Sequence, residues 1–387
     1  MNRFNENWNY PSDIRVGSGR MRELPEACNS LGMSSPLLVT DPLLAELRMV
    51  GDAIDACRGA GLRCGQFTDV QSNPTGANVE NGVAVYRAGG HDGVIAFGGG
   101  SALDTGKSIA LMAGQQRELW EFEDIGDNWM KANSEAIAQT IAIPTTAGTG
   151  SEVGRASVII DEAQQLKRII FHPRMLPKIV ILDPELTVGL PAPITAATGM
   201  DALSHSLEAY CSPMYHPMAD GIALEGIRLV KEYLPTAVAD PQNIEARTQM
   251  LVASSMGATA FQKGLGGMHA ISHSLGARYN AHHGLLNAIL MPYVLKANQA
   301  AVDTRIARLS RCLDLGYLDF EGFLSWVLDF REQLDIPHTL AALDIDEQQA
   351  EKIGAMAERD PCAAGNPIAF TARGYSAIFS SAVKGVL

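Results

Sequence analysis

Two short segments hold most of the residues that can do chemistry. GMDALSHSLEAY (199–210) places Asp201 and His205 four residues apart, and MHAISHSLGARYNAHHG (268–284) carries His269, His273, His282 and His283. Five of the nine histidines fall in these two stretches, with a carboxylate among them. On a helix, residues i and i+4 share a face. Asp201 with His205, and His269 with His273, can therefore each aim two donors at one point, while His283 follows a turn expected at the end of the second helix. Three imidazoles and one carboxylate suit a borderline divalent ion, iron or zinc, and spacing does not decide between them. The lack of thiolate donors argues against a closed structural zinc site. A lone histidine is ordinarily a satisfied core or surface residue, so His91, His172, His216 and His338, outside the cluster, receive no role. Asp220 reads as an acid favouring a helix start, and Glu121 with Glu123 as a solvated face.

A second chemistry is written in glycines and hydroxyls. GGGSALDTGK (98–107) follows the apolar run GVIAF and leads into a helical pattern. Glycines let a backbone approach a phosphate, and the next helix turns its free amides and positive dipole end toward the anion. The pattern is neither GxGxxG nor the lysine-ending phosphate loop, which would need glycine where Ser101 stands. PTTAGTGSE (144–152) also follows a strand and adds Thr145, Thr146, Thr149 and Ser151. Asp41 ends another strand in VTD; it fits a ribose-binding acid that repels a 2′-phosphate, favouring NAD over NADP, and equally a helix N-cap before Pro42.

The elements that position these residues follow from hydrophobic periodicity. PLLVTD (36–41), GVIAFGGG (93–100), AIAQTIAIPTT (136–146) and KIVILD (178–183) read as buried strands, separated by helical patterns such as Leu43 to Gly61 and Asn78 to Gly89. Alternating strands and helices predict a parallel sheet covered on both faces, with the two loops at the carboxyl ends of its strands. Beyond GLPAPITAATG (189–199), helical patterns run through 200–212, 218–234, 243–262, 284–299 and 318–334 without a convincing strand. The expected organisation is an α/β nucleotide-binding domain over 1–190 and an all-α metal-binding domain over 191–387.

Bulk properties close off other classes. Hydrophobic residues make up 47% and charged residues 19% of the 387, the balance of a packed globular protein. A net charge of −13 with no basic run argues against a nucleic-acid partner. No apolar run has the length of a membrane helix, and the polar N-terminus MNRFNENWNYPSD has no secretory h-region. The six cysteines form no CxxC pair and read as reduced thiols of a cytoplasmic protein.

GGGSALDTGK, AIPTTAGTGSE, GMDALSHSLEAY and HSLGARYNAHHGLLNAILMPYVL together resemble the iron-containing, or group III, alcohol dehydrogenases. The similarity runs from NYPSDIRVGSGR (9–20) to DPCAAGNP (360–367), nearly the whole chain. The resemblance implies a dehydroquinate-synthase-like fold, with a Rossmann-like domain, a helical domain and a cleft between them. It implies Asp201, His205, His269 and His283 as metal ligands and His273 as a histidine assisting proton transfer. For NAD it implies Asp41, Asn73, Gly99, Gly100, Ser101, Asp104, Thr145, Thr146, Thr149 and Lys167. Ser274 and His282 stand where the family often has proline. The implied activity is hydride transfer between NAD(H) and a small alcohol or aldehyde, with iron, or zinc in its place, and a homodimer or larger homo-oligomer. A glycerol-dehydrogenase-like polyol oxidoreductase or a semialdehyde reductase is the alternative on this scaffold. A nucleotide-binding protein without turnover is the alternative of another class. Lys263 and Arg278, flanking His269, are candidates to attract an anionic substrate tail, against simple surface exposure.

Overall fold

The computed structural model describes residues 12–164 and 166–387; the polar N-terminal stretch lies, through residue 11, outside the described residues. The chain forms two compact units, Tyr10–Thr146 with Gly150–Gly189, and Leu190–Leu387 with Ala147–Thr149.

The first unit is a parallel α/β sandwich. In chain order it contains β1 (Asp13–Val16), α1 (Leu24–Ser30), β2 (Pro36–Val39), α2 (Pro42–Ala45), α3 (Arg48–Gly59), β3 (Gly65–Phe67), α4 (Gly76–Ala88), β4 (Gly93–Gly98), α5 (Gly100–Met112), β5 (Gln139–Pro144), β6 (Ala156–Asp161), β7 (Leu166–Phe171) and β8 (Ile179–Leu182). Six strands pair in parallel in the order β1-β8-β5-β4-β2-β3. The central strands read as unbroken apolar runs because both faces are covered. Leu38, Ile95, Phe97, Ile141 and Ile181 meet Ala27, Val50 and Ile54 of α1 and α3, while Leu37, Val39 and Val94 meet Val79, Val83 and Ile109 of α4 and α5.

The strand order places a topological switch between β2 and β4. The connection from β2 leads outward to β3, and that from β4 leads the other way to β5. Ligands of open parallel sheets bind at the carboxyl ends beside such a switch. Here those ends are Asp41 and the glycines 98–100.

Two departures from the sequence reading are local. The helix expected over 43–61 breaks into α2 and α3 because Leu47 turns extended, at ψ 142°. β6 and β7, an antiparallel hairpin forming its own sheet, were not anticipated. Only alternate residues of β6 are fully buried, so the segment lacks the continuous apolar signature of the central strands.

The second unit is helical, with no strand among its described residues. Its helices are α6 (Ala192–Cys211), α7 (Pro217–Ala239), α8 (Ile244–Ala260), α9 (Gly267–Tyr279), α10 (His283–Cys312), α11 (Phe320–Gln333), α12 (Ala350–Arg359) and α13 (Ala372–Lys384). α6 is buried at nearly every position from Thr195 to Cys211, so its two chemical residues lie inside the unit.

Helix α5 tests whether packing outranks propensity. Gly106 faces β4 so closely that an added Cβ would lie 2.7 Å from the Cβ of Ala96 and 3.3 Å from its backbone Cα. Helix propensity alone favours alanine over glycine by about 1 kcal/mol. Overpacking costs about 1–3 kcal/mol. Gly106→Ala is therefore expected to lower the denaturation midpoint; a rise would show that the helix–strand contact yields freely.

Candidate metal centre and nucleotide loops

Three helices bring four donors together. Asp201 and His205 stand one turn apart on α6, His269 lies in the first turn of α9, and His283 opens α10. α9 ends at Asn280, whose left-handed conformation (φ 50°) reverses the chain within three residues of His283. α10 can then approach α6 because Gly284 has no side chain: a Cβ there would lie 2.5 Å from the Ala197 carbonyl and 3.0 Å from the Asp201 Cβ. One ligand atom from each of Asp201, His205, His269 and His283 lies within 4.8 Å of the others.

Each imidazole is held by its other nitrogen. His205 Nδ1 donates to the Gly148 carbonyl at 3.2 Å, leaving Nε2 as the lone-pair donor. Burial, only partly opposed by Asp201, pushes the His205 pKa down to about 4, so the ring is neutral at pH 7. His269 Nδ1 donates to Glu208 at 2.6 Å. Burial lowers the His269 pKa, but Glu208, with Asp201 and Asp360, outweighs it and the net shift is upward.

The donor set fits a divalent cation. Asn287 Nδ2 lies 2.8 Å from Asp201 Oδ1 and 3.2 Å from Nε2 of both His269 and His283, so an amide with two hydrogens faces three acceptors. Its Oδ1 is buried without a partner among the described residues. Converging lone pairs with so little positive charge among them are expensive unless an ion neutralises them.

Glu208 was missed in the sequence reading. It accepts from Gly266 N at 2.8 Å and Met268 N at 2.7 Å as well as from His269. The signal was present: Asp201, His205 and Glu208 follow i, i+4, i+7, one helix face. Asn287, four residues after His283, repeats that spacing. Asp360 was missed as well; its Oδ2 lies 3.0 Å from His273 Nδ1, and Cys362 Sγ lies 4.0 Å from the same nitrogen. Burial alone would raise the Asp360 pKa, but His273 and the Cys362 amide hold it low.

His273 stacks on His283, with ring centroids 5.3 Å apart, beside the four-donor set. His282, the remaining member of the cluster, caps α10 by accepting from Leu285 N at 3.3 Å. The four histidines outside the cluster all have protein partners: His91 with Ser35, His172 and His216 as caps, and His338 with Tyr293.

Three readings are corrected. Lys263 is neither exposed nor open to a substrate: it is 2% exposed, and its ammonium donates to Asp220 at 2.5 Å and to the Tyr210 carbonyl at 3.2 Å. Asp220 thus partners Lys263 rather than merely starting a helix, and Arg278 is exposed and bonded to Gln349 at 3.2 Å. Glu123 is not a free solvated acid, since Arg168 holds it at 3.0 Å.

In the α/β unit, Gly98 takes φ 144°, a conformation that suits glycine, and Thr145 N donates to its carbonyl at 3.0 Å. A Cβ on Gly98 would sit 3.8 Å from Asp41 Oδ2, and one on Gly99 3.5 Å from Thr146. Asp41, the glycines 98–99 and Thr146 therefore adjoin one another at the switch point. Gly99 caps α5 without a side-chain bond, leaving the amides about Gly100 and Ser101 available to an anion. Asp41 Oδ1 caps α2 through Leu43 N and Leu44 N, each at 3.0 Å. Asn73 and Lys167 are half-buried in this unit, whereas Thr149 belongs with the helical one. Asp104, expected among the cofactor contacts, is turned inward. It accepts from Ser151 Oγ at 2.5 Å and Val158 N at 2.9 Å, and pairs with Lys107 at 3.3 Å. Its carboxylate fastens the second loop to α5.

A parallel-sheet switch point of the kind where dinucleotides bind, in one chain with a buried donor set that fits a divalent cation, is the pattern of a metal-dependent oxidoreductase. Residues 11–184 match the family model "Iron-containing alcohol dehydrogenase", and residues 195–383 match "Fe-containing alcohol dehydrogenase family, C-terminal". A 4-hydroxybutyrate dehydrogenase of Cupriavidus necator is 40% identical over 95% of this chain and 97% of that protein. The NAD-dependent methanol dehydrogenase of Bacillus methanolicus is 32% identical over 97% and 100%. A crystal structure of 1,3-propanediol oxidoreductase superposes with a TM-score of 0.92 at 33% identity, covering 97% of this chain and all of that one. The chain belongs to the iron-containing alcohol dehydrogenase family, NAD-dependent oxidoreductases acting on alcohols.

Glu208→Gln is expected to weaken retention of a divalent ion about 10–100-fold, the range for losing a carboxylate behind a ligand histidine. Competition with a chromophoric chelator measures it, and unchanged retention would detach Glu208 from the centre. The metal-free protein should also carry a pH signature of His205. Between pH 6.5 and about 4 the unfolded chain takes a proton on this ring that the folded chain refuses. Stability present above pH 6.5 is therefore lost as pH falls through that window, by about 3 kcal/mol for this group. Urea titrations should show a flatter pH dependence over this window in His205→Asn than in wild type.

Proposed function

We propose that Asp201, His205, His269 and His283 hold one ferrous ion, and that the enzyme interconverts a short primary alcohol and its aldehyde with NAD(H). The observation carrying this reading is the convergence of three imidazoles and one carboxylate, with no thiolate, onto one buried point. When bound, the ion supplies Lewis acidity to the substrate oxygen, and NAD(H) supplies the hydride chemistry.

The chain's own residues prepare that chemistry. Asp201 brings negative charge to the cation, and His205 is already neutral, so it binds without losing a proton. Glu208 keeps the His269 lone pair on Nε2. Asp360 holds His273 through Nδ1, which frees Nε2 to pass a proton to or from the substrate side. Gly99, Gly100 and Ser101 offer backbone to the pyrophosphate, and Thr145, Thr146, Thr149, Asn73 and Lys167 are the remaining cofactor contacts. Asp41, with one oxygen capping α2 and the other facing Gly98, disfavours a 2′-phosphate and so selects NAD over NADP. The same reading places the enzyme in the cytoplasm as a homo-oligomer; the six cysteines are all unpaired, in keeping with a reducing compartment.

A second reading for the substrate, an ω-hydroxy acid and its semialdehyde, is favoured by the 40% identical 4-hydroxybutyrate dehydrogenase. Lys263 does not supply its anion anchor.

The test is anaerobic purification without chelator, metal analysis, and NADH oxidation with neutral and carboxylated aldehydes of matched length. About one iron per chain with aldehyde-dependent turnover is the expected outcome, and His269→Ala should lose metal and turnover together. Full activity in metal-free His269→Ala would overturn the metal role. A large kcat/KM preference for the carboxylated series would establish the second reading.

A further inference from the structure

Beside the four-donor set lies another cluster with different chemistry. His273 on α9, Asp360 at the end of α12 and Cys362 in the turn Pro361–Gly365 bring one nitrogen, one oxygen and one sulfur within 4.8 Å of one another. Nδ1 of His273 is 3.0 Å from Asp360 Oδ2 and 4.0 Å from Cys362 Sγ. A tetrahedral ion with bonds of about 2.0–2.3 Å holds its ligands roughly 3.3–3.8 Å apart. These separations need only small rotations to meet that spacing. The turn is preset for it: Asp360 Oδ1 accepts from Cys362 N at 2.8 Å, which fixes carboxylate and thiol relative to one another. His273 and Cys362 are both more than nine-tenths buried.

We propose that His273, Asp360 and Cys362 form a second divalent-metal site, distinct from the four-donor centre and selective for thiolate-seeking ions such as zinc. Donor chemistry separates the two. The first set has no sulfur, whereas the second combines thiolate, imidazole and carboxylate, a combination that suits zinc and leaves a fourth position for water. Filling it releases the Cys362 thiol proton to solvent. It also shifts the His273 proton from Nδ1 to Nε2, so the ring binds through Nδ1 as neutral imidazole. His273 then no longer pairs with Asp360, and Nε2 cannot accept a proton. Zinc at this site is therefore an inhibitor of turnover; that consequence alone rests on the role given to His273 under Proposed function.

The experiment uses holoenzyme with its native ion in place, titrated anaerobically with cobalt(II). Only a thiolate ligand gives a sulfur-to-cobalt charge-transfer band in the near ultraviolet, so the four-donor centre is silent in this assay. The expected result is a saturable band in wild type, lost in Cys362→Ala and in Cys362→Ser and weakened at least tenfold in apparent affinity in Asp360→Asn. The two cysteine variants should retain iron and the wild-type melting temperature. No band in wild type, or a band that survives in both cysteine variants through another thiol, overturns the site. Zinc inhibition is then compared in the same proteins. Loss of inhibition in Cys362→Ala supports the whole proposal, whereas a Cys362-dependent band without inhibition upholds the site and removes His273 from proton transfer.

Discussion

A single buried carboxylate sets the geometry of the proposed metal centre. Glu208 accepts from the amides of Gly266 and Met268 and from His269 Nδ1. A carboxylate removed from water is costly unless donors surround it, and here three do. Two of them belong to the start of α9, where the helix dipole also favours an anion. The group that stabilises the helix start therefore also chooses the tautomer and rotation of the His269 imidazole. Because His273 sits one turn further along α9, fixing that start fixes a second imidazole. Asn366 tightens the same point, accepting from Gly267 N at 2.9 Å and bonding Asn298. The small cavity beside Glu208, about 20 Å³, is lined mostly by apolar side chains such as Leu207, Val294 and Val302, with Asn298 and Asn366 as its other polar members.

The rest of the centre depends on absent side chains and on buried pairs. Gly284 lets α10 meet α6, and Gly257 lies where a Cβ would stand 3.2 Å from the His205 Cβ. Both are places where the backbone must come close for an imidazole to arrive. The α/β unit works by the same means, with Gly106 against β4 and the pair Asp104–Lys107 tying residues 151–158 to α5. Lys263 and Asp220 are the helical counterpart, an ion pair that joins the C-terminus of α6, through the Tyr210 carbonyl, to the segment leading into α9. Removing one member of such a pair leaves a buried charge alone, typically worth about 3–5 kcal/mol. These are strong constraints with no direct part in chemistry.

How much of this was legible in the sequence depends on range. The strands β2, β4, β5 and β8 and most long helices were readable because burial on two faces, or on one stripe, repeats locally. Asp201 with His205 and His269 with His273 were readable because one turn of helix brings i and i+4 together. β6 and β7 were not, because their alternation is weaker than the apolar runs around them. Lys263 looked like a surface cation because nothing within a few residues shows that Asp220, 43 positions earlier, meets it inside the fold. Asp41 remained double in sequence, ribose acid or cap; the structure shows the cap and leaves the second oxygen toward Gly98.

The same limit explains why His269 and His273 look equivalent in sequence and are not equivalent in the molecule. Both lie on α9, four residues apart, on one face. Each uses Nδ1 to hold a carboxylate, but the carboxylates come from 61 residues before and 87 residues after. Glu208 is saturated by two further amides and turns His269 Nε2 toward Asp201 and His283. Asp360 belongs to a turn that also presents a thiol, so His273 keeps different company, although its free nitrogen, like that of His269, is Nε2. The division of labour between the two imidazoles is thus not a property of the helix that carries them. It depends on which distant side chains meet each ring: Asp201, His205 and His283 around His269, and Asp360 and Cys362 around His273.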